Sequence, residues 1–413
     1  MEQEPPPAGQ TFATEWMSMT NEAVKAEEVI PPAAARVEAY AGITYYEGIR
    51  RARPDRYKSL AGQLNGLRSL PSPEEEGPHD WPVVASTAEQ RLLSDILRSP
   101  SDRTLGRIDS LHDEQVQRWE ESGVTASTIN RSQRYGQHLA DALLTWARQD
   151  GTDDIRGLPW EAPEGSGKWE PTRPDQKPAI IPYWSRVRPF AIDLGTHQPA
   201  SPPSYSEDTS SVFYKQMEQA YQAGRQATDE EIAIGRYWQD APGETSTPPG
   251  HWVHIARQVT EKQGLNLTET ARVFALVGIA GGDAFISVWE AKFNNAYIRP
   301  QTAVRRLIDS DWISPINTPP HPEYMSGHSV TSGAQSRILR YAFGEQVAFT
   351  DDRVHVDINF SARSYESFRE AAEQAGLSRV LGGIHYPISN QRGLEQGRSV
   401  AEAIAEKVEL RRE

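Results

Sequence analysis

The sequence predicts an all-α protein made of helical bundles, two four-helix-bundle-like units in sequence order. Three observations predict it. Apolar residues recur at helical spacing through most of the chain, the alternating pattern of strands is almost absent, and Pro-rich loops punctuate the helical stretches. At 413 residues the chain exceeds what one small core organises, so two packed units, or one large one, are expected. The first is read over residues 1–206 and the second over 207–413, with helices packed on helices in both.

The elements follow in order. An amphipathic helix is expected around 33–52. "STAEQRLLSDILRS" opens on Ser86 with Glu89 three residues later, the spacing of a capping box, and Leu92, Leu93, Ile96 and Leu97 follow at helical intervals. A third helix over 127–149 places Leu139, Leu143 and Trp146 on one side. Residues 151–206 interrupt the pattern. "GLPWEAPEGSGKWEPTRPDQKP" and "HQPASPPSYSED" read as a long connection over the surface, with tryptophans that pack it down. Helices resume at about 208–239, 250–263, 267–293 (Asn266 and Glu269 supplying its cap), 328–343, 364–380 and 389–411.

Composition narrows the function. A net charge of −14 and a pI near 5.3 argue against nucleic acid or an anionic membrane as partner. The absence of cysteine excludes disulfides, thiolate metal sites and a cysteine nucleophile, and suits a site of oxidising chemistry. No run of 18 apolar residues is evident, so no membrane span is expected. The first twenty residues lack the basic and apolar regions of a leader. A cytoplasmic location is expected unless a leader has been removed, in which case the periplasm or the exterior is; a homo-oligomer is possible.

Three segments carry the chemistry. In "KFNNAYIRP", Lys292 and Arg299 lie seven apart, so two turns of helix project both from nearly one face, with Pro300 placing them at a helix end. In "HPEYMSGHSV", Ser326 and Gly327 precede His328 at a helix start, where free N–H groups attract an anion and glycine admits it closely. In "SRVLGGIHYP", Arg379 and His385 are ~600° apart on an ideal helix, and Gly382-Gly383 breaks the helix so that both can turn inward. Each alone has a plain structural reading: dipole partners, an N-cap with a surface histidine, and a structural histidine. Together they supply two guanidiniums, an ammonium, a hydroxyl, a glycine amide and two imidazoles, the donor set of a tetrahedral-oxyanion site.

The series Lys-x6-Arg-Pro, Ser-Gly-His and Ser-Arg-x5-His resembles the signature shared by vanadium-dependent haloperoxidases and type 2 phosphatidic-acid phosphatases. The resemblance spans roughly residues 230–400. It implies that Lys292, Arg299, Ser326, Gly327 and Arg379 hold the oxygens of vanadate, with phosphate able to occupy the cage in its absence. It implies His385 as axial vanadium ligand, His328 as acid–base group, and Lys292 as the group that polarises bound peroxide. "YWQDAPGETSTPPGHW" also resembles a haloperoxidase stretch, which implies that Asp240 orients Arg379. Trp289 matches a residue lining the active site of fungal chloroperoxidase. His321 matches a histidine of algal bromoperoxidases, so both are assigned to a halide pocket. Met325 stands where the family usually has proline.

The resemblance thus implies an enzyme that oxidises bromide or iodide with hydrogen peroxide to hypohalous acid, which halogenates small organic substrates. Two alternatives stay open: a soluble phosphomonoesterase with His385 as nucleophile, and a helical protein that binds oxyanions without turnover. His251 and His254 in "HWVH" have a metal-binding spacing but no carboxylate in register. His79, His112, His138, His197 and His355 lack motif partners and are expected at the surface. The acidic runs 74–76 and 351–352 read as solvated loops, without calcium-site spacing.

Overall fold

The computed structural model describes residues 11–172, 174–352 and 361–412; His355 lies outside them. Helices dominate, as expected. In chain order they are α1 (Thr11–Ala26), α2 (Pro31–Ile49), α3 (Trp81–Ile96), α4 (Asp102–Glu121), α5 (Ala126–Ala147), α6 (Val212–Gln226), α7 (Asp229–Tyr237), α8 (Thr247–Lys262), α9 (Leu267–Asn295), α10 (Pro300–Leu307), α11 (Gly327–Phe343), α12 (Phe368–Leu381) and α13 (Pro387–Lys407). Between α11 and α12, β1 (Phe349–Asp351) pairs antiparallel with β2 (Arg363–Tyr365), Asp351 opposite Arg363.

Local chemistry sets most boundaries. Ser101, Thr125, Ser211 and Asn266 each accept the amide of the residue three on, starting α4, α5, α6 and α9. Three expectations need correction. The capping box at Ser86 is not a helix start: α3 begins at Trp81, where Asp80 caps the Val83 amide and Pro82 fills the first turn. Ser86 and Glu89 are instead buried mid-helix, Ser86 accepting from Trp16 Nε1 at 3.2 Å. The single helix over 208–239 is two, because Thr228 and Glu231 form a reciprocal capping box that starts α7. α1, α4 and α10 were not anticipated. In α4 the buried stripe is Ile108, His112, Gln115 and Trp119, and its polar members hide the helical period. His112 is consequently buried rather than exposed, 3.1 Å from Thr87 Oγ1.

The two halves share one continuous apolar core. At its centre α2 and α9 pack backbone to backbone: a Cβ on Gly42 would lie 2.7 Å from Phe274 O, and one on Gly278 2.6 Å from Glu38 O. Any larger residue at either position would force the helices apart. By length and composition α9 could cross a membrane, which the sequence reading passed over; 89% of its most apolar window is buried by other helices, the environment of a core helix.

The Pro-rich connection packs down as expected. Trp169 and Trp184 are buried, and Asp283 of α9 accepts three consecutive amides, from Phe190, Ala191 and Ile192 at 2.6–3.0 Å. Further along, Ala200 O accepts from Tyr324 Oη, so the connection lies against the segment that leads into α11.

Glu269, in the first turn of α9, ties the C-terminus to the core. Burial pushes its pKa up, but hydrogen bonds from Arg411, Tyr57 and Arg272 prevail and bring it down to about 2. The folded value lies below the unfolded one, so its contribution is complete above about pH 4.5 and is lost as pH falls toward 2. Screening at the exposed Arg411 reduces that contribution to roughly 1–2 kcal/mol. Glu269→Gln is expected to lower stability by that amount at pH 7 and to flatten the acid limb between pH 4.5 and 2. Chemical denaturation across pH checks this, and equal slopes for the two proteins would refute it.

Candidate active site

Lys292 and Arg299 meet by a chain reversal. α9 stops at Asn295 because Ala296 turns left-handed (φ 45°) and returns its amide to Lys292 O at 2.8 Å. Pro300 then holds Arg299 extended (φ −76°, ψ 149°) as the residue before α10. The expected common helical face is therefore wrong, since Arg299 lies outside α9. Both side chains are nevertheless fully buried. Lys292 Nζ donates to the carbonyls of Pro322 and Glu323, each at 3.0 Å. Arg299 donates to His321 O (3.0 Å) and Ile384 O (2.9 Å), and reaches His321 Nδ1 (2.9 Å) and His385 Nε2 (3.2 Å).

The Ser-Gly-His turn begins α11 as expected. Ser326 caps the helix, its Oγ accepting from Ser329 N at 3.3 Å. A Cβ on Gly327 would meet only Phe285 Cε1, at 3.9 Å, so the backbone there is open to a guest. The ring of His328 sits against the backbone of Gln239 and Trp238, whose dipoles favour its protonated form. Its buried Nε2 has no hydrogen-bond partner among the described residues. Burial, with the Arg379 charge, lowers its pKa to about 3, so the ring is neutral.

The third segment folds back on itself. α12 ends at Leu381, Gly383 takes φ +69°, and the amides of Ile384 and His385 both return to Arg379 O, at 3.1 and 3.3 Å. Arg379 is held by Ser378 Oγ at 2.9 Å and by Gly235 O. Burial lowers its pKa to about 10 while the charge of Asp240 opposes that fall. Asp240 also accepts from Thr245 Oγ1 (3.2 Å) and faces His251 Nδ1 (3.0 Å). The Trp289 ring lies 5.1 Å from that of His321.

A residue the sequence reading missed organises this site. Glu323, fully buried inside the same decapeptide, faces His385 Nδ1 at 2.8 Å and accepts from Tyr386 N (3.0 Å) and Ser389 Oγ (2.7 Å). These donors assign the imidazole proton to Nδ1 and leave Nε2 with its lone pair, as in metal-binding histidines. Burial and the charges of Arg299 and Lys292 keep His385 neutral, well below its ordinary pKa. The acidic neighbour lay in plain text between His321 and Ser326, but nothing in the spacing tells that residue 323 points toward residue 385.

The electrostatics point to one kind of guest. Three cations are buried, and their hydrogen bonds go mainly to neutral carbonyls. Burial, then the Arg299 charge, drives Lys292 well below its usual pKa, and burial lowers Arg299 to about 10. Two buried carboxylates, Glu323 acting on Lys292 and Arg299 and Asp240 acting on Arg379, compensate these three charges only in part, and buried charge left over is costly. An oxyanion of two or three charges, gripped by guanidinium forks and a point ammonium, offsets that cost.

Comparison with known proteins agrees. The family model of the vanadium chloroperoxidase second helical-bundle domain matches residues 272–412. A solved structure described as the first bacterial vanadium-dependent iodoperoxidase is 33% identical, with a TM-score of 0.90 over 98% of this chain and 97% of its own. The chain belongs to the vanadium haloperoxidases. The vanadium chloroperoxidase of Curvularia inaequalis is 31% identical over 147 residues, 30% of this haloperoxidase chain and about a quarter (24%) of that relative's length. A bacterial vanadium-dependent chloroperoxidase in its holo form, 14% identical, shares the fold at a TM-score of 0.66 over 94% of this chain and 95% of its own.

Proposed function

We propose that this chain oxidises iodide or bromide with hydrogen peroxide, using vanadate as cofactor, and releases hypohalous acid that halogenates small organic acceptors. The observation that carries the proposal is the donor set: three buried cations, of which Arg299 and Lys292 act directly on His385, whose Nε2 turns its lone pair to Arg299 while its other nitrogen is tied to Glu323. Full-length similarity to a bacterial iodoperoxidase and the His321–Trp289 contact support the halide reading.

Lys292, Arg299 and Arg379, with Ser326 Oγ and the Gly327 amide, would hold the vanadate oxygens, and His385 Nε2 would bind the vanadium. Bound vanadate supplies a Lewis-acidic centre that activates peroxide toward a halide nucleophile. His328 Nε2, neutral and without a hydrogen-bond partner among the described residues, would take a proton from hydrogen peroxide and return it to the departing oxygen. Lys292 Nζ, which donates to the carbonyls of Pro322 and Glu323, would supply the ammonium that donates to an oxygen of the bound anion and draws electron density from it. Arg299, which reaches His385 Nε2 at 3.2 Å, would turn the same guanidinium edge toward an oxygen of the anion.

The test is to titrate apoprotein with orthovanadate and assay peroxide-dependent iodination and bromination, with phosphoester hydrolysis assayed in parallel. Saturable vanadate binding with halogenation is expected. Hydrolysis that vanadate inhibits, without halogenation, would instead establish the phosphatase alternative, and binding with neither activity the non-catalytic one. His321→Phe removes a polar group from the halide side of the cage. It is expected to shift the iodide-to-bromide ratio of kcat/KM by at least about 5-fold, the effect of one hydrogen bond of ~1 kcal/mol. An unchanged ratio would count against a halide role for His321.

A further inference from the structure

Two motifs left aside by the function meet each other in the fold. His251 and His254 on α8 face the paired carboxylates at the end of β1: His251 Nε2 lies 2.5 Å from Asp351 Oδ2, and His254 Nε2 3.5 Å from Asp352 Oδ1. The 351–352 run is thus not wholly solvated as expected, because Asp351 is fully buried. The carboxylate lacking from the local sequence around "HWVH" arrives from 100 residues away.

The other nitrogen of His251 bonds Asp240. Nδ1 to Asp240 Oδ2 is 3.0 Å, and both partners have fully buried side chains. One imidazole therefore bridges two carboxylates, from the loop after α7 and from the hairpin, and each of its nitrogens has an acceptor for a proton. Trp238 stacks on the ring at 4.5 Å and 28°, and Tyr237 Oη donates to Asp351 Oδ2 at 2.7 Å. Residues 237–240, His251 and Asp351 form one packed unit.

The far side of that unit is the oxyanion site. Gly235 O accepts from Arg379, the backbone of Gln239 and Trp238 lies against the ring of His328, and the charge of Asp240 acts on both Arg379 and His328. Asp240 has a left-handed backbone (φ 49°), a conformation that costs a non-glycine residue unless its surroundings impose it. The Asp240–His251 bond is such an imposing contact.

We propose that His251, locked between Asp240 and Asp351, is a positioning residue: it holds segment 237–240 where Asp240 faces Arg379 and the backbone grips His328. This deepens the proposed function and rests on that reading. The β-hairpin thereby becomes an outer support of the site, coupled to it through one buried ring.

The test uses full-length His251→Gln, Asp351→Asn and, as a hairpin control, Thr350→Ala, whose exposed hydroxyl bonds Ser364 Oγ on the facing strand. Affinity for orthovanadate and for inorganic phosphate is measured on apoprotein, together with amide exchange of the stretch 235–247. His251→Gln is expected to weaken both anions by about 10–100-fold, the usual cost of losing an outer partner, and to speed exchange across that stretch. Asp351→Asn should show a smaller shift in the same direction, and it keeps the test intact if His251→Gln does not fold. Thr350→Ala should change neither readout. Cooperatively folded His251→Gln protein with wild-type affinity or wild-type exchange overturns the inference, and so does an equal loss in Thr350→Ala. Wild-type protein that binds neither anion would overturn the functional reading instead.

Discussion

His385→Ala is expected to abolish tight vanadate retention, weakening affinity by at least about 10³-fold. A structural metal–ligand bond is worth several kcal/mol, and each ~1.4 kcal/mol is a factor of ten. The cationic cage survives this change, so weak electrostatic binding of vanadate and phosphate should persist. The discriminating number is therefore the ratio of the two affinities: wild type should prefer vanadate strongly, and His385→Ala should bind the two nearly alike. Equilibrium dialysis of apoprotein against each anion gives that ratio. Glu323→Gln is a graded version of the same experiment. It keeps an acceptor for the Nδ1 proton but removes the charge, and it should cost about 10–100-fold in vanadate affinity. A His385→Ala protein that retained the wild-type preference would remove the axial assignment.

His328→Ala should bind vanadate with little change and lose turnover by about 10²–10⁴-fold, the range of a general acid–base group. The expectation comes from geometry. His328 Nε2 is buried near Arg379 without a hydrogen-bond partner among the described residues, whereas the anion-holding donors belong to other residues. The free protein holds the ring neutral because burial and Arg379 both disfavour its protonated form. An oxyanion bound at Arg379 would counter that charge and raise the basicity of His328, so loading the site should tune its own base. Turnover should consequently show a dependence on peroxide and pH that vanishes in His328→Ala. Full peroxidase activity in that variant would end the acid–base role.

How much of this was legible beforehand depends on the range of the interaction. The helices with apolar stripes, such as α5 with Leu139, Leu143 and Trp146, are read from local periodicity, because burial of one face repeats every turn. α4 was missed because His112 and Gln115 occupy its buried stripe, their polarity satisfied by partners on other helices. The capping box at Ser86 failed for a similar reason: the spacing was right, but Asp80, six residues earlier, offered a better cap with Pro82 in the first turn. A motif of four residues has no means of knowing its competitors.

The site divides along the same line. Lys292, Arg299, Ser326, His328, Arg379 and His385 were picked from text because their residue types, taken as a set, match only an anion's needs. Glu323 and His251 were not, although both were quoted. Glu323 depends on the Gly383 turn that brings His385 back to it, and His251 on a hairpin one hundred residues downstream.

What the sequence by itself determined was the chemistry on offer and the helical segments that carry it, since composition and period are properties of neighbours along the chain. Which nitrogen of His385 is left free, which carboxylates are spent on imidazoles, and how Arg299 joins Lys292 from outside its helix were decided by tertiary structure alone. Those choices depend on distances between segments far apart in the chain, and only the packed core of α2, α9, α11 and α13 brings those segments within hydrogen-bonding reach.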